Sequence, residues 1–391
     1  MSLISTLRRM VAQVVLALIA VLMVASCSDS ASPDATLSAP ATYDSTGFSG
    51  NVAEQQALLT EHQSLVTLIK NGRTPGTLID GPAVYAIWEG GSEPLSASVA
   101  LEFRTRALMA MGKAIMSAGN AFDPSKAPDS TGGTLGPMGG AYLFDNTGLE
   151  SEQMVDKGLY LALHYYQASE LLSQAPLRAA VDGVVALYGA TPSFTNTYDA
   201  SNPQRDRFSA GYICRRDKND GTGMYTSIAK NLKIMKEALA DLGNYRDDYE
   251  RAAKNVRATW ERAMMATVVN YCIDATKKFN AATSDEERAS AMHSLSEAIG
   301  FVTGLRCIPS SDRTATDAQL EEILDLMRAP FRGATTSIGE ATPYMFFRDP
   351  GQLARLDKNT GAVAKLAVIY SFTPTELTDF EQNWVTLQGR K

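Results

Sequence analysis

The sequence predicts an all-α fold, a bundle or pair of bundles with long irregular loops. Three observations carry this. Most long segments repeat apolar residues at three- and four-residue spacing. Alternating runs bounded by tight hairpin turns do not occur. One stretch, Ala289 to Cys307, is apolar around most of its circumference, which places it in the middle of a bundle rather than on its skin. Met292, Leu295, Ile299 and Val302 form one stripe of that stretch. His293, Glu297, Gly300 and Gly304 form a second, about a third of a turn away at ~100° per residue. Glycine inside a helix costs about 1 kcal/mol relative to alanine. The pair therefore predicts a close crossing by a neighbouring segment, with His293 and Glu297 in the same crevice.

The chain opens with Arg8 and Arg9, an apolar run from Met10 to Ala25, and then Val24-Ala25-Ser26-Cys27. A charged start, a short apolar run and small residues at its end describe a secretory signal peptide over 1–26. The run is short for a membrane span of about 20 residues. Its last four residues resemble a bacterial lipobox, which implies lipidation (palmitate among the acyl chains) at Cys27. Ser28 after the cysteine points to the outer membrane, with the protein on its periplasmic side or at the cell surface. Removing 1–26 takes away two arginines and no acid, moving the net charge from −7 to −9. That balance argues against nucleic acid and is compatible with cation binding.

Residues 27–49, rich in Ser, Ala, Pro, Thr and Asp, read as a lipidated flexible tether. Residues 50–391 read as the helical domain. Its first helix covers Asn51 to Lys70, with His62 on the apolar face, where a core histidine with satisfied hydrogen bonds is expected. Residues 74–94 read as loop, Leu95 to Ser117 as helix, and Gly119 to Gly140 as a long loop. Leu149 to Gln174 predicts a second buried helix. Its polar stripe of Glu150, Gln153, Lys157, Tyr160, His164 and Gln167 faces either solvent or the crevice of the central helix. Further helices are predicted over 176–188, 226–242, 245–279, 317–327, 361–370 and 376–387. Ser284 with Glu287 forms a capping box for the central one.

Besides Cys27 there are three cysteines, enough for one internal pair in an exported protein; Cys214 with Cys307 is the pair expected. A histidine and a carboxylate one turn apart can share a metal, which makes His293 and Glu297 metal-ligand candidates with His164 as a third donor. Asp156, His62 and Glu170 are further candidates. The bland reading is that His293 and Glu297 bond each other or nearby backbone. No zincin motif, nucleophile elbow, phosphate loop or dinucleotide fingerprint occurs, so no enzyme is expected.

Two segments, NTGLESEQMVDKGL from Asn146 to Leu159 and HSLSEAIGF from His293 to Phe301, resemble a family of bacterial lipoproteins of unassigned function related to the imelysin-like periplasmic proteins. The resemblance implies a double helical bundle and an association with iron uptake or cation binding, the ligand being a divalent or ferric cation. Peptidase activity is a distant implication. Two departures stand out. The family's histidine and glutamate lie three apart after a glycine, whereas His293 and Glu297 lie four apart after Met292. A polar segment of the relatives corresponds here to the mostly apolar Ala180 to Tyr188. The function expected is a lipid-anchored binding protein. The alternative is a helical scaffold that docks to a membrane protein complex or transporter.

Overall fold

The computed structural model describes residues 36–91, 94–129, 131–137, 141–329 and 342–391. The signal peptide, Cys27 and the first part of the tether lie outside the described residues, as do parts of the loops at 119–140 and after Met327. Residues 39–391 form one unit.

The longer helices are α1 (Ala53–Lys70), α2 (Gly81–Glu89) and α3 (Leu101–Ser117), then α4 (Ser151–Leu159), a π-helical segment (Tyr160–Tyr165) and α5 (Tyr166–Ser173). They are followed by α6 (Arg178–Tyr188), α7 (Phe208–Ile213), α8 (Met224–Ala238) and α9 (Leu242–Ala281). Last come α10 (Asp285–Arg306), α11 (Asp317–Leu326) and α12 (Ala362–Tyr370). The all-α prediction holds; among the described residues the sheet is one antiparallel pair, β1 (Gly133–Leu135) with β2 (Tyr142–Phe144).

Three local expectations change. The segment 74–94, expected as loop, contains α2, which Asp80 caps by accepting from the Ala83 amide, with Pro82 in its first turn. The tether is shorter than expected. Tyr43 is buried, its hydroxyl donates to Asp182 Oδ1 at 2.5 Å, and Lys233 donates to the Ala41 carbonyl. At α10, Ser284 accepts from the Glu287 amide as expected, but the Glu287 carboxylate accepts from the Thr283 amide and hydroxyl.

Helix α10 is the centre. From Ser294 to Arg306 every residue is buried, against α4, α9 and α11. The predicted crossing is made by α4. A β-carbon added at Gly300 would lie 2.5 Å from the Gln153 carbonyl oxygen and 2.8 Å from Lys157 Cβ. At Gly304 it would lie 2.3 Å from the Gly158 carbonyl oxygen. Contacts that short are impossible, so both positions require glycine for the backbones to meet. Gly158 takes part from the other side, its missing β-carbon making room for the Phe103 ring on α3. The three glycines draw α3, α4 and α10 into one layer, and this fixes where the charged side chains of α4 point.

Candidate functional site

Helix α4 is buried along its whole length although it carries Glu152, Asp156 and Lys157, with Glu150 just before it. A charge taken out of water costs several kcal/mol unless it is paired. Of the two orientations open to the polar stripe, the structure has the one toward the crevice: Glu150, Gln153, Lys157, Tyr160 and His164 are all buried. Gln167, half-buried, donates to the Ser98 carbonyl.

The pairing forms one continuous network. Lys157 Nζ lies 2.8 Å from Asp156 Oδ2 and 3.2 Å from Glu297 Oε1 on α10. His62 Nε2 on α1 is 3.1 Å from Asp156 Oδ1, and His62 Nδ1 is 3.0 Å from His164 Nε2. Lys70, at the end of α1, reaches Asp156 and Glu152 at 3.5 and 3.6 Å. Arg73 bonds both Glu152 and Glu150. Glu150 in turn holds His293 Nδ1 at 2.5 Å, and the His293 ring stacks on Tyr142 of β2 at 4.5 Å. All three histidines of the chain belong to this network.

Burial and partners divide the protonation states. Burial works against charge on Glu150, yet His293 and Arg73 hold its carboxyl below the usual range. Burial works against charge on His293 too, and Glu150 overcomes it, raising the imidazole pKa. Asp156 is held well below the ordinary value against burial, by Lys157 and then His62, and Lys157 is raised well above its own. Glu152 goes the other way. Burial, with Glu150 and Asp156 beside it, pushes it up to about 7 although Arg73 and Lys70 oppose the rise. Burial and the His62 neighbour lower His164 well below the usual imidazole value, so it is neutral at pH 7. When His62 donates from Nε2 to Asp156 and accepts at Nδ1 from His164, the remaining His164 Nδ1 is an acceptor lone pair with no donor on it.

The His164 backbone lies in the π-helical segment, a wide turn that is frequent at functional sites. One cleft of about 460 Å³ opens over this part of the network. His62, Asp156, Lys157 and Tyr160 line it from below, Phe208 and Tyr212 of α7 from one side, and Gln63, Thr67 and Lys70 at the rim. The Lys157 ammonium faces the Tyr160 and Tyr212 rings, 5.5 and 5.3 Å from their centroids, a cation–π arrangement.

The expected metal set does not assemble. His293 and Glu297 share a crevice but not a partner: one is bonded to Glu150, the other to Lys157. His164 is held by His62, and Glu170 is exposed. Among the described residues no three His, Cys, Asp or Glu side chains converge as metal ligands. A divalent cation at Asp156 would also face the Lys157 ammonium, which already lies 2.8 Å from that carboxylate. These residues do not fit a resident metal. The cysteine pairing is likewise corrected: Cys214, Cys272 and Cys307 are free and buried. Cys214 donates to the Gly211 carbonyl near Arg390 and Asp206, whereas Cys307 closes α10 beside Arg106 and Glu102.

Lys70, Arg73, Glu152, Tyr142, Phe208 and Tyr212 belong to this region and escape a reading of the sequence. For Glu152 one signal exists: four ionisable residues fall within eight positions, Glu150 to Lys157, of a stretch that also carries a core stripe. Comparison with protein-family models, with curated proteins and with solved structures finds no match to this chain.

Proposed function

We propose that the protein is a lipid-anchored binding protein of the bacterial outer membrane, which takes a small polar ligand carrying an anionic group in the cleft between α1, α4 and α7. One observation carries this reading: the cleft floor is made of buried ionised groups, Lys157 and Asp156, with the half-exposed Lys70 ammonium at the rim. Buried charge is expensive and is retained where geometry or binding uses it. Lys70 meets its carboxylate partners at 3.5 Å or more, so its ammonium has donors left for a ligand. The two segments that resemble the imelysin-related lipoproteins lie on α4 and α10, the helices whose charges interlock beneath the cleft.

A thermal-shift screen of protein lacking residues 1–27 tests the reading. Small carboxylates and phosphates are expected to raise the melting temperature, and Lys70→Ala to remove the rise, while ferric, zinc and magnesium salts give none. A rise with metal alone, abolished by His293→Ala, would favour the cation reading instead. Failure of every anion would leave the scaffold reading, with the network serving structure.

A further inference from the structure

A second cavity, of about 230 Å³, lies beside the cleft and shares Gln63 and Phe208 with it. Both are lined by one face of α1, which runs from Gln56 through Thr60 and Gln63 to Thr67 and Lys70. The fourteen residue steps from Gln56 to Lys70 cover about 21 Å of helix. The two cavities therefore adjoin along α1, with Gln63 and Phe208 lining both at the divide.

The charge along this pair of cavities is opposite to that of the protein. The chain carries a net −7, but Arg205 and Arg207 line one half, Lys70 and Lys157 the other, and Asp156 is the one carboxylate among the lining residues. The Arg half, with no carboxylate among its lining residues, attracts anions; in the other half Lys157 is already paired with Asp156 and Glu297, and the half-exposed Lys70 is the cation left to meet a ligand. The Arg end is anchored. The Arg207 amide donates to the Gly189 carbonyl at 2.8 Å, and Gly189, at φ 92°, packs so closely on Arg207 that an added β-carbon would lie 2.2 Å from its carbonyl oxygen. The divider is strained: Phe208 has φ 46°, a left-handed conformation that costs an aromatic residue free energy and persists only where its surroundings impose it. Its ring makes edge-on contact with the His164 ring, 4.9 Å between centroids. Strain at the junction of two cavities marks a place where position matters more than stability.

We infer that the ligand is an elongated dianion, with one anionic group at Lys70 and Lys157 and the other at Arg205 and Arg207, its middle passing Gln63 and Phe208. This rests on the cleft being a binding site, and it adds the second anchor and the length.

Calorimetric titration of the full chain in detergent with linear α,ω-dicarboxylates of four to sixteen carbons, and with monocarboxylates of matched length, tests it. Binding should pass through an optimum of chain length, at which the diacid binds at least tenfold tighter than the monoacid. Arg207→Ala, and Arg207→Glu more strongly, should erase that advantage, bringing the diacid down to the affinity of the monoacid; Lys70→Ala should weaken both. Arg207 is exposed, so neither variant threatens folding. Monoacids and diacids binding equally, both weakened by Lys70→Ala, would overturn the dianion and keep the cleft. Absence of binding by any of these probes would overturn both.

Discussion

Glu152 is fully buried, one turn before Asp156 and two residues after Glu150. Arg73 touches Glu150 and Glu152 alike, but Glu150 has His293 as well, and so Glu152 is the carboxyl that gives way. Its pKa rises from 4.5 in the unfolded chain to about 7 in the fold. A raised pKa means that the folded state prefers the proton. The contribution of Glu152 to stability is complete below pH 4.5 and is lost as pH rises through 7. Glu152→Gln should therefore flatten the stability profile between about pH 4.5 and 7. Above that window it should stabilise the protein by at most about 3 kcal/mol, because each tenfold change in proton affinity is worth ~1.4 kcal/mol. Urea unfolding at pH 5 and pH 8 measures this, and parallel curves for variant and parent at both pH values would refute it. None of this is legible at the level of single residues. The partners of α4 come from α1, α10 and the turn after α1, and His62 and His164 are 102 positions apart. A sequence shows that α4 carries too many charges for a core helix; it does not show who neutralises them.

At the scale of the element, the central helix is legible because glycine has few reasons to sit inside one. Two of them, four apart on a helix apolar around most of its circumference, imply a backbone pressed against it, and α4 lies there. Gly304→Ala should therefore be costly, since the added carbon meets backbone rather than a flexible side chain. Overpacking a well-filled core costs about 1–3 kcal/mol, and a backbone obstacle belongs at the upper end. By contrast Gly221→Ala, at a turn with open space around it but φ 89°, should cost only the backbone strain. Melting temperatures of the two variants compare them, and equal losses would show that the α4–α10 crossing has slack. The π-helical segment after α4 is not legible. Its sequence, YLALHY, has ordinary helical spacing, and the extra residue in the turn is accommodated by contacts such as Phe208 against His164, which come from elsewhere in the chain.

At the scale of the whole molecule, the folded unit begins earlier than composition suggests. Residues 28–49 are poor in apolar side chains, and a segment that buries little reads as a tether. One side chain decides otherwise. Tyr43 is buried against Phe48 and Phe194, and its hydroxyl meets Asp182 on α6. Asp182 is itself fully buried and also takes Lys236 Nζ at 2.5 Å and Asn51 Nδ2 at 2.7 Å. Tyr43, Asn51, Asp182 and Lys236 thus tie the start of the unit to α6 and α8. A chain beginning at residue 50 keeps the ion pair but uncovers it, exposing the Lys236 ammonium to water and emptying the space of a buried aromatic ring. Losing such a ring costs about 3–5 kcal/mol, which for a chain of this size lowers the melting temperature by roughly 4–7 °C. A chain beginning at residue 39 should melt with the longer protein, and Tyr43→Phe should fall between, losing the hydroxyl and keeping the packing. Identical melting of the 39 and 50 starts would return residues 39–49 to the tether and leave Asp182 held by Lys236 and Asn51.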